Sequence, residues 1–446
     1  MVYQKKFNNL TASQLSGFRR TSVQSIGSPS RRAFGRLFFL FCVFSNSAIF
    51  AQNGCPDPQA SNHNPAANAN DGSCTYANTV LAAPRKAALP AVLDETSGLV
   101  VTDGQLWTHN DSGGEPAIYR LDTLTGQVLQ TVTFANATNV DWEAIGADGT
   151  YLYVGDFGNN VSGNRQDLVV YRVRKADIGS GAAVSVASEA IRFAYADQTS
   201  FTATPPNQTT FDCEAMLVRN GRVHLFSKDW VTGRVRHYSM PAVPGTHTAT
   251  FEEEFAANGL ITDATLSETG AAMLVGYTRA GQVFAWLLFD YTGDKFFSGN
   301  KRRLELGSAL EKGQVEGIAF RRFFEGFVSC ERFQNVAPTL YTFSVANLVY
   351  YNPTDTETDQ PTGASVRVFP NPAGGSPMTV RVGGAAPGEP LDFRLVDATG
   401  RQVFRRKLTP DTGEVSLSLP PAGPGIYVLR VETRRWHRIV RLLSQP

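Results

Sequence analysis

Five times along this chain an acidic residue opens a short apolar stretch that ends, 13 to 15 residues later, in a polar cluster. The openings read DETSGLVV, DWEAIGAD, DCEAMLVR, TDATLSET and VEGIAFRR, led by Glu95, Glu143, Glu214, Asp263 and Glu316. The clusters that answer them are LWTHND, LYVGDF, HLFSKDW, MLVGYT and FVSCER. Successive leading acids stand 48, 71, 49 and 53 residues apart. Such a period constrains the fold more than composition does, because a unit of that length cannot bury its own apolar faces and must stack on its copies.

About 50 residues hold four short strands, the size of one propeller blade. In the first copy the strands read SGLVV, QLWTHN, AIYRL and VLQTVTF; LVVYRVR and AIRFAY continue the second copy, and VFAWLLFDY and KRRLEL the fourth. The 71-residue step fits one blade plus the insertion DQTSFTATPPNQTT. The last copy shows only EGIAF, EGFVSC and TLYTFSV, and TVLAAPRKAALPAVL (79–93) is placed to supply its fourth strand and close the ring, leaving no open edge. The expectation is an all-β chain, a five-bladed β-propeller, or six-bladed if the insertion hides a blade, followed by a small immunoglobulin-like β-sandwich.

In such a ring the first strand of each blade lines the channel, so the five leading acids are expected around one axis. Carboxylates about 7 Å apart repel by roughly 2 kcal/mol at an effective dielectric near 20, and something must offset this. Backbone N–H donors from the next blade, a bound Ca²⁺, and carboxyls kept protonated for acid–base chemistry are the three answers. The candidate metal ligands are Glu95, Asn110, Glu143, Asp156, Glu214, Asp263, Glu316 and Glu331; Asp111 and Asp229 extend the set, and Lys228 brings internal positive charge.

The 446 residues carry 41 basic and 40 acidic side chains, a formal charge of +1, which gives no reason to expect a nucleic-acid partner. Arg31, Arg32 and Arg36 precede the apolar run LFFLFCVF and then SNSAIFAQ, the order of an export signal, with cleavage expected after Ala51 or Ala48. That run is too short to span a bilayer, so no transmembrane helix is expected in the mature chain. Cys42 leaves with the signal. Cys55 and Cys74 enclose a segment with almost no apolar side chains, so a bridge is expected there; Cys213 and Cys330 are either a second bridge or buried thiols.

GCPDPQASNHNPAANANDGSCTY (54–76) resembles a short cysteine-bounded module of exported Bacteroidetes proteins, with His63 and Asn70 replacing its usual Tyr and Asp. Asp57, Asn62, Asn64, Asn68 and Asp71 either make turns there or hold Ca²⁺. SVRVFPNPAGG, LDFRLVDATGRQVFRRKL and PPAGPGIYVLRVETRRWHRIVRLL together resemble the C-terminal sorting domain of the type IX secretion system. This resemblance implies that the tail engages the type IX machinery and that the protein reaches the outer-membrane surface or is secreted. The domain boundaries follow: export signal 1–51, cysteine module 52–77, propeller 78–350, linker 351–364 and sorting domain 365–446.

The segments DWEAI, GDFGNN and VEGIA resemble secreted propellers related to the SdiA-regulated and esterase-like phytase families, and more distantly the calcium-dependent lactonases. The last resemblance implies that Glu95, Glu143, Glu214 and Glu316 serve as ligands of a channel metal. The chain has no G-x-S-x-G elbow, H-E-x-x-H helix, P-loop or dinucleotide fingerprint. His109 beside Asn110 reads as a structural histidine or a base, and Cys213 as core or bridge. Three functions stay open: a passenger binding a ligand, glycan or protein at the propeller mouth; a calcium-dependent hydrolase of an ester, lactone or phosphoester; and a structural surface protein.

Overall fold

The structure is a computed structural model and describes residues 52–349, except residue 323, together with most of 365–445. The export signal and the linker expected above lie outside the described residues.

Residues 85–344 form five antiparallel meanders. The first sheet holds Thr96–Thr102, Gln105–Asn110, Ala117–Leu121 and Val128–Phe134; the second Trp142–Ala147, Tyr151–Asp156, Val169–Arg174 and Glu189–Tyr195; the third Cys213–Arg219, Arg222–Ser227, Val235–Pro241 and Gly245–Phe255, these last two being joined at their outer strands, where Glu189–Tyr195 pairs in parallel with Gly245–Phe255. The fourth holds Leu260–Leu266, Ala272–Tyr277, Gln282–Phe289 and Asn300–Ser308. The fifth takes Gln314–Arg322, Glu325–Glu331 and Thr339–Ser344 from one end of the region and Arg85–Ala88 from the other, with Leu340 opposite Ala87. The first strands of successive sheets pack side by side in order, and the fifth returns to the first. This is a propeller-like arrangement.

Burial follows position in the meander. The first strand of the fourth sheet, LITDATL, is buried along six of its seven residues, whereas Glu189–Tyr195 at the outside buries only Ile191, Phe193 and Tyr195 and turns the alternate residues outward. Sheet packs on sheet through separate apolar layers: Trp107, Val132, Trp142 and Leu152 between the first and second; Tyr153, Val170, Met216 and Leu225 between the second and third. Phe226, Leu274 and Phe284 fill the next gap, Met273, Ile318 and Val328 the one after, and Leu99, Leu106, Phe327 and Leu340 close the circle. Each fully buried Leu or Phe contributes roughly 1.5–3 kcal/mol.

One irregularity recurs in all five sheets. The pairing of first with second strand skips a residue at Gly98, Glu143, Glu214, Thr262 and Glu316. Such a bulge leaves one residue unpaired and re-aims its side chain. Here it sits at the same end of every first strand.

The cysteine module carries the disulfide Cys55–Cys74. Its Asp57, Asn64 and Asp71 each accept the backbone N–H two residues on, at Gln59, Ala66 and Ser73, as in turns, while Asn62 and Asn68 accept those of Thr75 and Gln52 across the module. Asn70 ties the module to the fourth sheet through Asp290 and Asn300. Cys213 and Cys330 are buried free thiols. In the tail, a sheet of Ser365–Phe369, Thr379–Gly383 and Glu414–Ser418 faces one containing Leu391–Asp397, Gln402–Leu408, Gly425–Glu432 and His437–Gln445. Leu391, Phe393 and Leu395 share their core with Val380, Leu429 and Val431. No helix among the described residues is long and apolar enough to cross a membrane.

Candidate functional site

The bulges decide which acids meet. Glu143, Glu214 and Glu316 occupy the skipped position in the second, third and fifth sheets and are all buried. Two residues earlier, on the same side of the chain, stand Asp141 and Asp212. The ends of the second strands add Asn110, Tyr277 and Glu331, with Asp111 and Lys228 each one residue beyond its strand.

Two of the five leading acids stand elsewhere. Gly98 and Thr262, not Glu95 and Asp263, hold the skipped position in the first and fourth sheets. Glu95 lies ahead of its strand with its side chain exposed, and its backbone carbonyl accepts the Asp111 N–H at 2.9 Å. Asp263 is one residue past the bulge and fully buried; its Oδ2 accepts N–H groups of Leu99 at 3.0 Å and Ile318 at 2.7 Å, pinning the fourth sheet to the first and fifth. The expected single ring of five acids is therefore three glutamates plus a structural aspartate plus an exposed glutamate.

Asp156 also turns aside. It pairs with Trp142, one step short of the register that carries Lys228 and Glu331, and accepts the N–H groups of Val140 and Asp141 and the Arg165 guanidinium at 2.8 Å. Asp229 caps a turn through Val231 and Thr232. Asn110 donates to the Val92 carbonyl at 2.8 Å, leaving its buried Oδ1 without a partner. His109 is buried beside Trp142 and burial pulls its pKa down to about 4, so it is a neutral packing residue near neutrality.

Carboxylate oxygens of Asp111, Asp141 and Glu143 lie within 4.8 Å of one another. Glu143 is 3% exposed, and its carboxylate accepts no hydrogen bond among the described residues. Gly158 makes this crowding sterically possible: a Cβ there would stand 2.3 Å from Asp141 Oδ2 and 2.4 Å from Glu143 Oε1. Across the site Lys228 Nζ donates to Glu214 and lies 4.9 and 5.2 Å from the Trp230 and Tyr277 rings. Asp212 accepts the Asn159 N–H at 2.7 Å and the Trp230 indole at 2.6 Å. Glu316 Oε1 accepts the Gln314 amide at 2.8 Å, while its buried Oε2 has no partner.

The electrostatics are one-sided. Burial, then the neighbouring Asp111 and Asp212, pushes Asp141 up to about 7. Burial, then Glu214, raises Glu143 well above the usual carboxylate range. Glu316 is pushed up to about 7 and Glu331 to about 9, in both cases mainly by burial. Burial opposes the charge on Lys228, but Glu214, Tyr277, Glu316 and Glu143 outweigh it and keep the ammonium protonated. One ammonium cannot neutralise this many carboxyls. A second cation among Asp111, Asp141 and Glu143 would relieve repulsion of about 3 kcal/mol per ionised pair at that spacing.

Asp141 and Asp212 were legible in principle. The segments DWE and DCE put two acids on one side of a strand at period 2. The register, set by the bulges, was not.

A family model described as a secretion system C-terminal sorting domain matches residues 367–443. This is the type IX signal: the protein is exported to the cell surface or secreted, and its tail is handled by that machinery. No curated protein matches the sequence. Among solved structures, the chain is similar to the PQQ-bound aldose sugar dehydrogenase of Streptomyces coelicolor, at 9% identity and a TM-score of 0.35, over 58% of this chain and 96% of that one. It is also similar to the extracellular domain of a hybrid two-component system from B. thetaiotaomicron, at 10% identity and 0.27, over 79% of this chain and 56% of that one. A GH43_1 enzyme from Xanthomonas citri complexed with xylose gives 11% and 0.34, over 56% and 86%. Likenesses of this strength decide neither fold nor activity.

Proposed function

We propose that residues 78–350 are a five-bladed β-propeller, carried as a passenger by an immunoglobulin-like sorting domain at 365–446, and that its channel mouth binds an oxygen-rich ligand through a divalent cation. Hard carboxylate oxygens without nitrogen or sulfur donors favour Ca²⁺. Asp111, Asp141 and Glu143 would hold it, and Lys228 neutralises the opposite wall formed by Glu214 and Glu316. The observation that carries this reading is the convergence of Asp111, Asp141 and Glu143, whose carboxylate oxygens lie within 4.8 Å of one another with no hydrogen-bond donor on the Glu143 carboxylate among the described residues. Three carboxyls this close cannot all ionise without a counter-charge between them.

Thermal melts in EDTA and in Ca²⁺, with calorimetric titration of Ca²⁺, test it. Ca²⁺ at about 100 times its dissociation constant is expected to stabilise the chain by about 2.7 kcal/mol. Glu143→Gln loses that stabilisation. Gly158→Ala, whose new methyl would stand 2.3–2.5 Å from Asp141 Oδ2, Glu143 Oε1 and Asp141 Cγ and so force both carboxyls to move, is expected to lose it too. An equal Ca²⁺ response in wild type and both variants removes the site.

The same groups suit a metal-dependent hydrolase of an ester, lactone or phosphoester, and one observation favours it: the buried Glu316 Oε2 has no partner beside the acid cluster, and burial pushes this carboxyl up to about 7. Chromogenic esters assayed with wild type and Glu316→Gln separate hydrolysis from binding, since the variant keeps Ca²⁺ and loses turnover only if Glu316 moves a proton.

A further inference from the structure

At the other end of the strands from the acid cluster, the first and second sheets part to leave a cleft of about 340 Å³. Its floor is one row across the first sheet. Trp107 lies directly opposite Arg120, and Arg120 directly opposite Gln130, so the three side chains share a face. The facing wall is Leu152 and the turn from Lys175 to Ser180. Lys175 fixes that wall by donating to Thr102 Oγ1 at 2.8 Å and Asp103 Oδ2 at 2.7 Å.

Among the described residues, the row leaves unpaired the donors of Trp107 and Arg120 and the acceptor Oε1 of Gln130. Gln130 spends its amide N–H groups on the Gly179 and Gly181 carbonyls at 2.6 and 2.7 Å. Lys175 is matched by Asp103. The buried Trp107 indole N–H has no acceptor, and neither has the buried Arg120 Nε–H. Arg120 has no ion pair among the described residues, so the cleft keeps one uncompensated positive charge. Buried donors are nearly always paired in native proteins, and a guanidinium left without a partner in a cleft has the geometry to take a carboxylate or phosphate.

We infer that this cleft binds a small carboxylate-bearing molecule of about monosaccharide size, with its carboxylate held by Arg120 and the Trp107 indole N–H. The side-on fork of a guanidinium, Nε with one Nη, matches the two oxygens of a planar carboxylate, and the indole N–H supplies a third donor to one of them. The volume leaves room for a body carrying hydroxyl or carbonyl groups against Gln130 and the backbone of 178–180. A uronic acid and a 2-oxo acid share this chemistry. The site is independent of the cation at the channel mouth.

The test follows the indole N–H resonance of Trp107, assigned with Trp107→Phe, while D-glucuronate, D-galacturonate, pyruvate, inorganic sulfate and D-glucose are added in turn to the full chain. At least one carboxylate is expected to shift the resonance at concentrations up to about 20 mM, corresponding to millimolar affinity. Response to the uronates alone identifies an acidic sugar as the ligand, and response to pyruvate alone a 2-oxo acid; either supports the site. Arg120→Gln is expected to weaken binding about tenfold or more, Arg120→Lys to do nearly the same because it keeps the charge but not the fork, and Glu143→Gln to leave it intact. Silence of every carboxylate, an equal response to D-glucose or to sulfate, or undiminished binding by both Arg120 variants would overturn the inference.

Discussion

Asp263 has both carboxylate oxygens committed: Oδ2 takes the Leu99 and Ile318 N–H groups and Oδ1 the N–H of Ala264. The first of these contacts reaches across the interior of the ring, because the first and fourth sheets are not neighbours in it. Replacement by Ala therefore leaves two inner-strand donors without an acceptor in a place water does not enter, at a cost of about 1–3 kcal/mol each. Asp263→Ala is expected to lower the urea midpoint strongly without changing the Ca²⁺ response of the molecules that remain folded, whereas Glu95→Ala, at an exposed position, is expected to leave the midpoint near that of wild type. A midpoint for Asp263→Ala within experimental error of wild type would show that the aspartate does not tie the sheets.

At the scale of elements, ring closure depends on one short strand from the start of the region. Arg85–Ala88 pairs with Thr339–Ser344 and lies beneath the 122–127 turn of the first sheet, where Gly126 has φ +76° and a Cβ would come within 2.4 Å of the Ala88 carbonyl. Gly104, in the turn before Gln105, has φ +75° with nothing nearby. Both Gly→Ala substitutions carry the cost of a left-handed backbone, roughly 1–3 kcal/mol, but only the one at 126 must also push the closing strand away. Gly126→Ala is thus expected to destabilise more than Gly104→Ala and to speed proteolysis around 85–90; equal effects would mean the closing strand carries little of the stability. Such elements were largely legible in the sequence, since period-2 alternation marks outer strands such as AIRFAY and a fifth unit short of one strand called for a partner from elsewhere. The bulges were not legible. A skipped residue changes pairing without changing spacing by more than one, so acids at 15, 13, 14, 14 and 15 residues from their clusters looked equivalent while Glu95, Asp156 and Asp263 had drifted off the common register. The cleft at Trp107 left no motif either, because its residues come together only across strands.

For the whole molecule, two kinds of carboxyl set opposite trends with pH. Asp392 in the sorting domain, held down to about 2 chiefly by the Arg405 guanidinium, contributes stability that is present above the ordinary carboxyl range and is lost as pH falls toward 2. Glu316 and Asp141, raised to about 7, do the reverse: the folded chain keeps protons that the unfolded chain releases near pH 4, so their contribution is complete below that pH and is lost as pH rises through 7. For the buried Glu316 that swing is on the order of 3 kcal/mol. In EDTA the chain is therefore expected to melt at a higher temperature at pH 5 than at pH 8. Bound at the proposed site, Ca²⁺ would cancel the difference, because the cation would replace the protons: its stabilising effect is expected to be large at pH 8, where the acids are free to ionise, and small at pH 5, where protons compete for the same oxygens. Melting curves at the two pH values, each with and without Ca²⁺, decide the matter. A melting temperature in EDTA that rises from pH 5 to pH 8 would show that the acid cluster is already neutralised from within, by Lys228 and backbone donors alone, and that the channel mouth needs no ion.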